Sequence, residues 1–238
     1  MDVLIIHYNT PELTEAAVRS LWKHTPKARV TIFDNSDKRP FDASRFTLHD
    51  IRFTYIDNTR GQVVNWEEWL ALFPNKEPAL ENDWGSAKHC YSVEMCYDRF
   101  PNGFVLMDSD VLVKKDITPM CDETKAFVGR IHCNTRNFGF HINRLCPYLC
   151  WINTPLLKPY RVRYFHPDKM WKLHRWKQGD TSKGCHDTGA WFLDQALRTG
   201  LPYEDMEIMD YIVHFKAASW RKPGGHVEWL RKHQELWK

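Results

Sequence analysis

The sequence predicts an α/β fold with a mostly parallel sheet flanked by helices, on three observations. "DVLII" and "FVLM" are apolar runs without alternation, the pattern of strands covered on both faces. A helical pattern follows the first run directly, and strand, helix and strand in short alternation imply right-handed crossovers. At 238 residues and 43% apolar content, the chain suits one domain of generous size with a substantial core.

The elements follow in order. Val3 to Ile6 form the first strand. In "NTPELTEAAVRSLWKHTP", Thr10 suits an N-cap and Pro11 the first helical position. Leu13, Ala16, Ala17, Ser20 and Leu21 then repeat at helical spacing along one buried face. "ARVTIFDNSD" reads as a second strand ending in a polar turn, and "IRFTYIDNTRG" as a third. Residues 61–84 are irregular and read as an insertion, with "NWEEWLALF" as a short helix inside it. A helix is expected from about Ser86 to Arg99, then the strand that ends at Asp108. "AFVGRIH" is a further strand. From 134 to 183 the pattern is rich in Pro, aromatic and basic residues and yields no element. A helix over 188–198 is stopped by Gly200, "DYIVHFKAASW" is a late strand, and "VEWLRKHQELW" is an amphipathic C-terminal helix. No internal repeat or low-complexity tract is present.

The net charge of +3 is too weak to mark a nucleic-acid binder. Its distribution is uneven: between 158 and 183, eight cations stand against two carboxylates, a net of +6. That segment suits an anionic partner or a solvated loop. Eleven Trp fit flat partners such as sugars or bases, and equally fit a core. Seven Cys without a C-x-x-C pair argue against zinc and for reduced, mostly buried thiols. No apolar run approaches the ~20 residues that span a membrane, and the chain opens almost directly on a strand. The expectation is a soluble, cytoplasmic protein without a transmembrane segment.

The chemistry concentrates where strands end. "FVLMDSDVLVKKD" carries Asp108 and Asp110 out of a buried run. Two carboxylates one residue apart at a dry strand end are costly unless a cation neutralises them. Either carboxylate also suits a plain turn or cap. His7 and Asn9 follow the first strand, Asp34 the second, and Asp57 and Asn58 the third. In open α/β sheets, ligands bind outside these carboxyl ends. The phosphate cradles G-x-x-x-x-G-K-[ST] and G-x-G-x-x-G are absent. A bound nucleotide would therefore need other neutralisation, which a divalent metal at Asp108 and Asp110 supplies.

Taken together, "DVLIIHYNTPELTEAAVRSLWKHTP", "VTIFDNSD", "WGSAKHCYSV" and "GFVLMDSDVLV", in this order, resemble the inverting GT-A glycosyltransferases of family 2, which use nucleotide-sugars. The resemblance resumes at "HDTGAWFLDQALRTG" and "DYIVHFKAASW". It implies a single GT-A domain over 1–238. Residues 1–131 would form the nucleotide-sugar half, with the insertion at about 61–84, and residues 132–238 the acceptor side. It implies metal-dependent transfer of a sugar, with inversion, to a glycan or lipid-linked acceptor, as in polysaccharide biosynthesis.

The resemblance also implies roles for residues. His7, Asn9, Asp34, Lys88, Asp108 and Ser109 would meet the nucleotide. Asp108, Asp110 and His214 would hold Mn2+ or Mg2+, the imidazole tilting the choice to manganese. Asp34 also reads as a turn residue, Lys88 as a solvated cation, and His214 as a bonded core histidine. Asp187 would be the catalytic base or merely cap its helix, with Glu204 and Asp205 as runners-up.

Residues 61–84 and 134–183 match nothing in that family, which leaves the acceptor open. Their cations interleaved with aromatics, Arg175, Trp176 and Lys177 among them, are assigned to it. The same mixture suits nucleic acid or anionic lipid. A nucleic-acid acceptor and peripheral membrane contact therefore stay as alternatives. A non-catalytic nucleotide- or sugar-binding protein of the same fold is the other.

Overall fold

A computed structural model describes residues 1–46, 50–71, 80–133, 143–167, 188–215 and 225–238. Strands β1 (Asp2–His7), β2 (Arg29–Asp34), β3 (Phe53–Asp57) and β4 (Phe104–Asp108) lie parallel in the order β3-β2-β1-β4. Beyond β4 the sheet continues through β7 (Asn143–Ile152), β6 (Phe127–Cys133) and β8 (Glu204–Asp205). Of these three, β7 runs against both β4 and β6, while β8 is parallel to β6. The expected α/β class with a mostly parallel sheet is what the chain adopts.

The unalternating runs have the burial they imply. In β1, Leu4 and Ile6 pack with the cluster on one face, Val3 and Ile5 with that on the other. In β4, Phe104 and Leu106 join the first cluster, Val105 and Met107 the second. Helix α1 (Pro11–His24) supplies Ala17, Val18 and Leu21 to the second cluster, and α3 (Leu80–Tyr97) supplies Ala87, Cys90 and Val93 to the first. Each large apolar side chain so buried contributes about 1.5–3 kcal/mol.

Helix α1 starts with Pro11 as expected, but Thr10 makes no side-chain cap bond. Its hydroxyl lies 3.3 Å from Ser109 Oγ instead. The short helix α2 (Trp66–Leu70) is capped by Asn65, whose side chain accepts from the Glu67 and Glu68 amides. Helix α3 begins at Leu80, ahead of the expected start near Ser86. After the one-turn α4 (Thr154–Leu157), α5 (Ala190–Arg198) begins two residues later than the pattern indicated. Gly189 precedes it at φ 80°, where a Cβ would stand 2.1 Å from the Leu145 carbonyl oxygen. Only glycine allows that approach.

Strand β7 was not legible in the sequence. "NRLCPYLCWI" contains a proline and lacks period-two alternation, yet its second half is buried on both faces. Strand β5 (Val111–Val113) was also missed, being three residues long and paired with β9 (Ile212–His214). The late strand is thus shorter than "DYIVHFKAASW", whose end lies outside the described residues. Helix α6 (Gly225–Lys232) packs against α1 and Phe215. Among the described residues, no helix is long and apolar enough to cross a membrane. The buried thiols behave as expected: desolvation pushes Cys96 up to about 12 and Cys146 to about 11.

His7 ends β1 wholly buried, with Nδ1 2.7 Å from Thr14 Oγ1 and Nε2 3.9 Å from Asp34 Oδ1. Burial holds its pKa below the ordinary 6.5, outweighing the opposite pull of Asp34. The unfolded chain therefore binds a proton at His7 before the folded one does. The stability due to neutral His7 is complete above its ordinary pKa and declines as pH falls below it. Melting temperature should accordingly drop more steeply in wild type than in His7→Gln between about pH 7.5 and about pH 5.5. Parallel pH profiles would show that His7 does not carry the effect.

Candidate metal and nucleotide site

The carboxyl ends of β1 to β4 share one edge of the sheet. Asp108 is the last residue of β4, and the chain turns through Ser109 and Asp110 into β5. Antiparallel pairing of Val111 with His214 and of Val113 with Ile212 carries His214 to that turn. His214 Nε2 lies 3.2 Å from Asp110 Oδ1, and the Phe215 amide donates to the Asp110 carbonyl at 2.9 Å. One ligand atom each from Asp108, Asp110 and His214 lies within 4.8 Å of the other two. Ligands held ~2.1 Å from a single ion stand at most ~4.2 Å apart, so a small side-chain movement would bring this group to one ion. The side chains of His214, Asp110 and Asp108 are 6%, 11% and 20% exposed. Two carboxylates in so dry a place favour a bound cation, and two oxygens with one imidazole suit a divalent metal.

Two further residues frame this cluster. His89, on α3, places Nε2 3.3 Å from Asp108 Oδ1. Tyr148, on β7, lays its ring over His214 with centroids 4.0 Å apart, and Arg144 Nη2 donates to its hydroxyl at 3.2 Å. The sequence reading assigned neither residue a role. His89 stands in the quoted "WGSAKHCYSV", where helical register could have flagged it, whereas Tyr148 lies in the stretch that yielded no element.

The remaining strand-end groups are at the expected edge, but they bind their own chain. Asp34 is wholly buried: Oδ1 accepts from the Ser36 amide at 2.8 Å, and Oδ2 from the Phe41 amide at 2.7 Å and the Tyr55 hydroxyl at 2.8 Å. Asn9, at φ 55°, accepts from the Lys38 and Arg39 amides and donates to Asp37. Asn58 accepts from the Val63 and Val64 amides and donates to Asn35, which donates to Ser92 of α3. Asp57 accepts from the Thr59 amide and hydroxyl. Together these bonds fix the loop at 35–41 and the turn after β3. Lys88 is half-buried, its ammonium 4.9 Å from the centre of the Trp66 ring. Burial lowers its pKa, against the pull of Asp37.

Glu204 and Asp205 sit on β8, separated from β4 by β7 and β6. Glu204 pairs with Lys125, and Asp205 accepts from the Ile131 amide at 2.9 Å. Asp187, Arg175, Trp176 and Lys177 lie outside the described residues.

No protein-family model matches the sequence, and no curated protein is similar to it. Solved structures do resemble its fold. One is the galactosyltransferase LgtC in complex with donor and acceptor sugar analogues: 16% identity over 85% of this chain and 73% of that one, TM-score 0.48. Another is the glycosyltransferase GlyE of Streptococcus pneumoniae TIGR4, at 14% identity over 88% of this chain and 45% of that one, TM-score 0.45. A third is mouse xyloside xylosyltransferase 1 in its apo form, at 10% identity over 87% and 86% of the two chains, TM-score 0.47.

The hydrogen bonds of Asp34 make a measurable claim. Asp34→Ala leaves three donors without their acceptor, and an unsatisfied buried group costs ~1–3 kcal/mol. Urea denaturation should show Asp34→Ala less stable than wild type by at least about 2 kcal/mol, with Asp34→Asn in between. An alanine variant as stable as wild type would mean that the carboxylate does not hold the loop.

Proposed function

We propose that this chain is a metal-dependent glycosyltransferase that moves a sugar, with inversion, from a nucleotide-sugar to a glycan or lipid-linked acceptor. The observation that carries the reading is the meeting of Asp108, Asp110 and His214 at the carboxyl edge of the parallel strands. A diphosphate ligand at that edge would need a cation beside it. A bound divalent ion supplies neutralisation of the donor diphosphate and of the leaving group. Asp108, Asp110 and His214 hold that ion, which is Mn2+ or Mg2+, and the imidazole favours manganese.

The nucleotide lies against the loop at 35–41 and the Ser109 turn. His7, Asn9 and Asp34 serve it by fixing the backbone it meets. Lys88 stands between Trp66 and Asp37, where an ammonium can approach the phosphates. Inversion is a single displacement, so a carboxylate must take the acceptor proton as the new bond forms. The sequence resemblance assigns that task to Asp187. The basic and aromatic segment containing Arg175, Trp176 and Lys177 receives the acceptor, which makes 132–238 the acceptor side and 1–131 the donor side.

Thermal-shift measurements with each nucleoside diphosphate, with and without Mn2+, test the donor site. One diphosphate should raise the melting temperature of wild type in the presence of Mn2+, through ligand linkage, and Asp110→Ala should lose that rise while staying folded. No metal-dependent rise with any nucleotide would contradict the proposal. With the matching sugar nucleotide in hand, Asp187→Asn should lower kcat by ~10²–10⁴. A near-wild-type kcat would place the base elsewhere, and the anomeric configuration of the product, read by NMR, tests inversion.

A further inference from the structure

We propose that His89 is a positioning residue of this centre: it steadies the Asp108 carboxylate and thereby sets the affinity for the cation, a role that rests on the metal-binding reading above. Phe104 and Leu106 belong to the core on the α3 side of the sheet, and side chains two apart on a strand share a face. Asp108 therefore points towards α3, away from the face that Val105 and Met107 cover. His89 meets it there at 3.3 Å. The two carboxylates thus have one histidine each, from opposite sides: His214 from β9 on Asp110, and His89 from α3 on Asp108.

The state of the His89 ring points the same way. Its side chain is 17% exposed, and both ring nitrogens are buried without a hydrogen-bond partner among the described residues. An imidazole left in that state is costly, and nothing in the packing of α3 requires one. The contact with Asp108 is close but not aligned as a hydrogen bond. A carboxylate turned so that one oxygen met a cation would leave the other to accept from a His89 N–H. His89 lies outside the group of Asp108, Asp110 and His214 that converges within 4.8 Å, so it acts through Asp108 and not on the ion. Hydrogen-bond partners of metal ligands typically govern affinity by ~10–100-fold.

Mn2+ binding to the full chain, measured by calorimetry for wild type, His89→Gln and His89→Leu, tests the proposal. Melting temperature in chelator is measured alongside. Gln keeps an N–H at similar reach, while Leu fills the space without one. His89→Leu should bind Mn2+ ~10–100-fold more weakly with a melting temperature in chelator equal to or above that of wild type, and His89→Gln should stay close to wild type in Mn2+ affinity. Raised Mn2+ should restore the metal-dependent thermal shift of His89→Leu, which a folding defect would not permit. Equal binding by wild type and His89→Leu overturns the proposal alone, as does equal loss in both variants. A wild-type chain that binds no Mn2+ overturns the metal reading, and the proposal with it.

Discussion

Asp108 and Asp110 leave a strand whose four preceding residues are completely buried, and they place two like charges where water is scarce. Among the described residues, the side chains set against these carboxylates include two imidazoles. His214 arrives because β5 pairs with β9, joining residues about a hundred positions apart in sequence. His89 arrives because α3 covers the same face of β4. A neutral imidazole can donate one hydrogen bond to a carboxylate without cancelling its charge. That leaves the negative potential in place for a cation, which a buried ammonium or guanidinium would not.

Strand-end aspartates look alike in sequence, and the structure separates them by what their oxygens accept. Asp34 takes three hydrogen bonds from its own loop and from Tyr55, and Asp57 takes two from Thr59. Such carboxylates shape the backbone. Asp108 accepts no hydrogen bond among the described residues; its carboxylate faces the poorly aligned His89 and the ligand atoms of Asp110 and His214. A partly exposed carboxylate with its oxygens free of such bonds is the one fitted to take a ligand. The structural aspartates still matter to the site, because the loop at 35–41 that they fix stands at the same edge of the sheet.

Much of this was readable from the sequence, for local reasons. Unalternating apolar runs mark β1 and β4, helical spacing marks α1, and the polar residues after each strand mark the edge where ligands bind. The family resemblance assigns Asp108, Asp110 and His214 to a metal, and the structure groups one ligand atom from each within 4.8 Å. What escaped depends on long-range pairing. Strand β7 is hidden by Pro147 and a mixed composition, and it gains its burial only by lying between β4 and β6. Strand β5 is too short to carry a pattern. Thr10 suits a cap by residue type, yet its hydroxyl turns to Ser109, a partner 99 positions away. Helical register could flag His89, but its meeting with Asp108 depends on how α3 packs on β4.

The central claim is that Asp110 and His214 hold a divalent cation. Pulsed electron paramagnetic resonance of Mn2+ added to the full chain with a nucleoside diphosphate tests it most directly, because it detects nitrogen bonded to the ion. The account predicts coupling to one imidazole nitrogen in wild type, lost in His214→Ala even when excess Mn2+ keeps the site occupied. Absence of nitrogen coupling in wild type, or its persistence in His214→Ala, would contradict it.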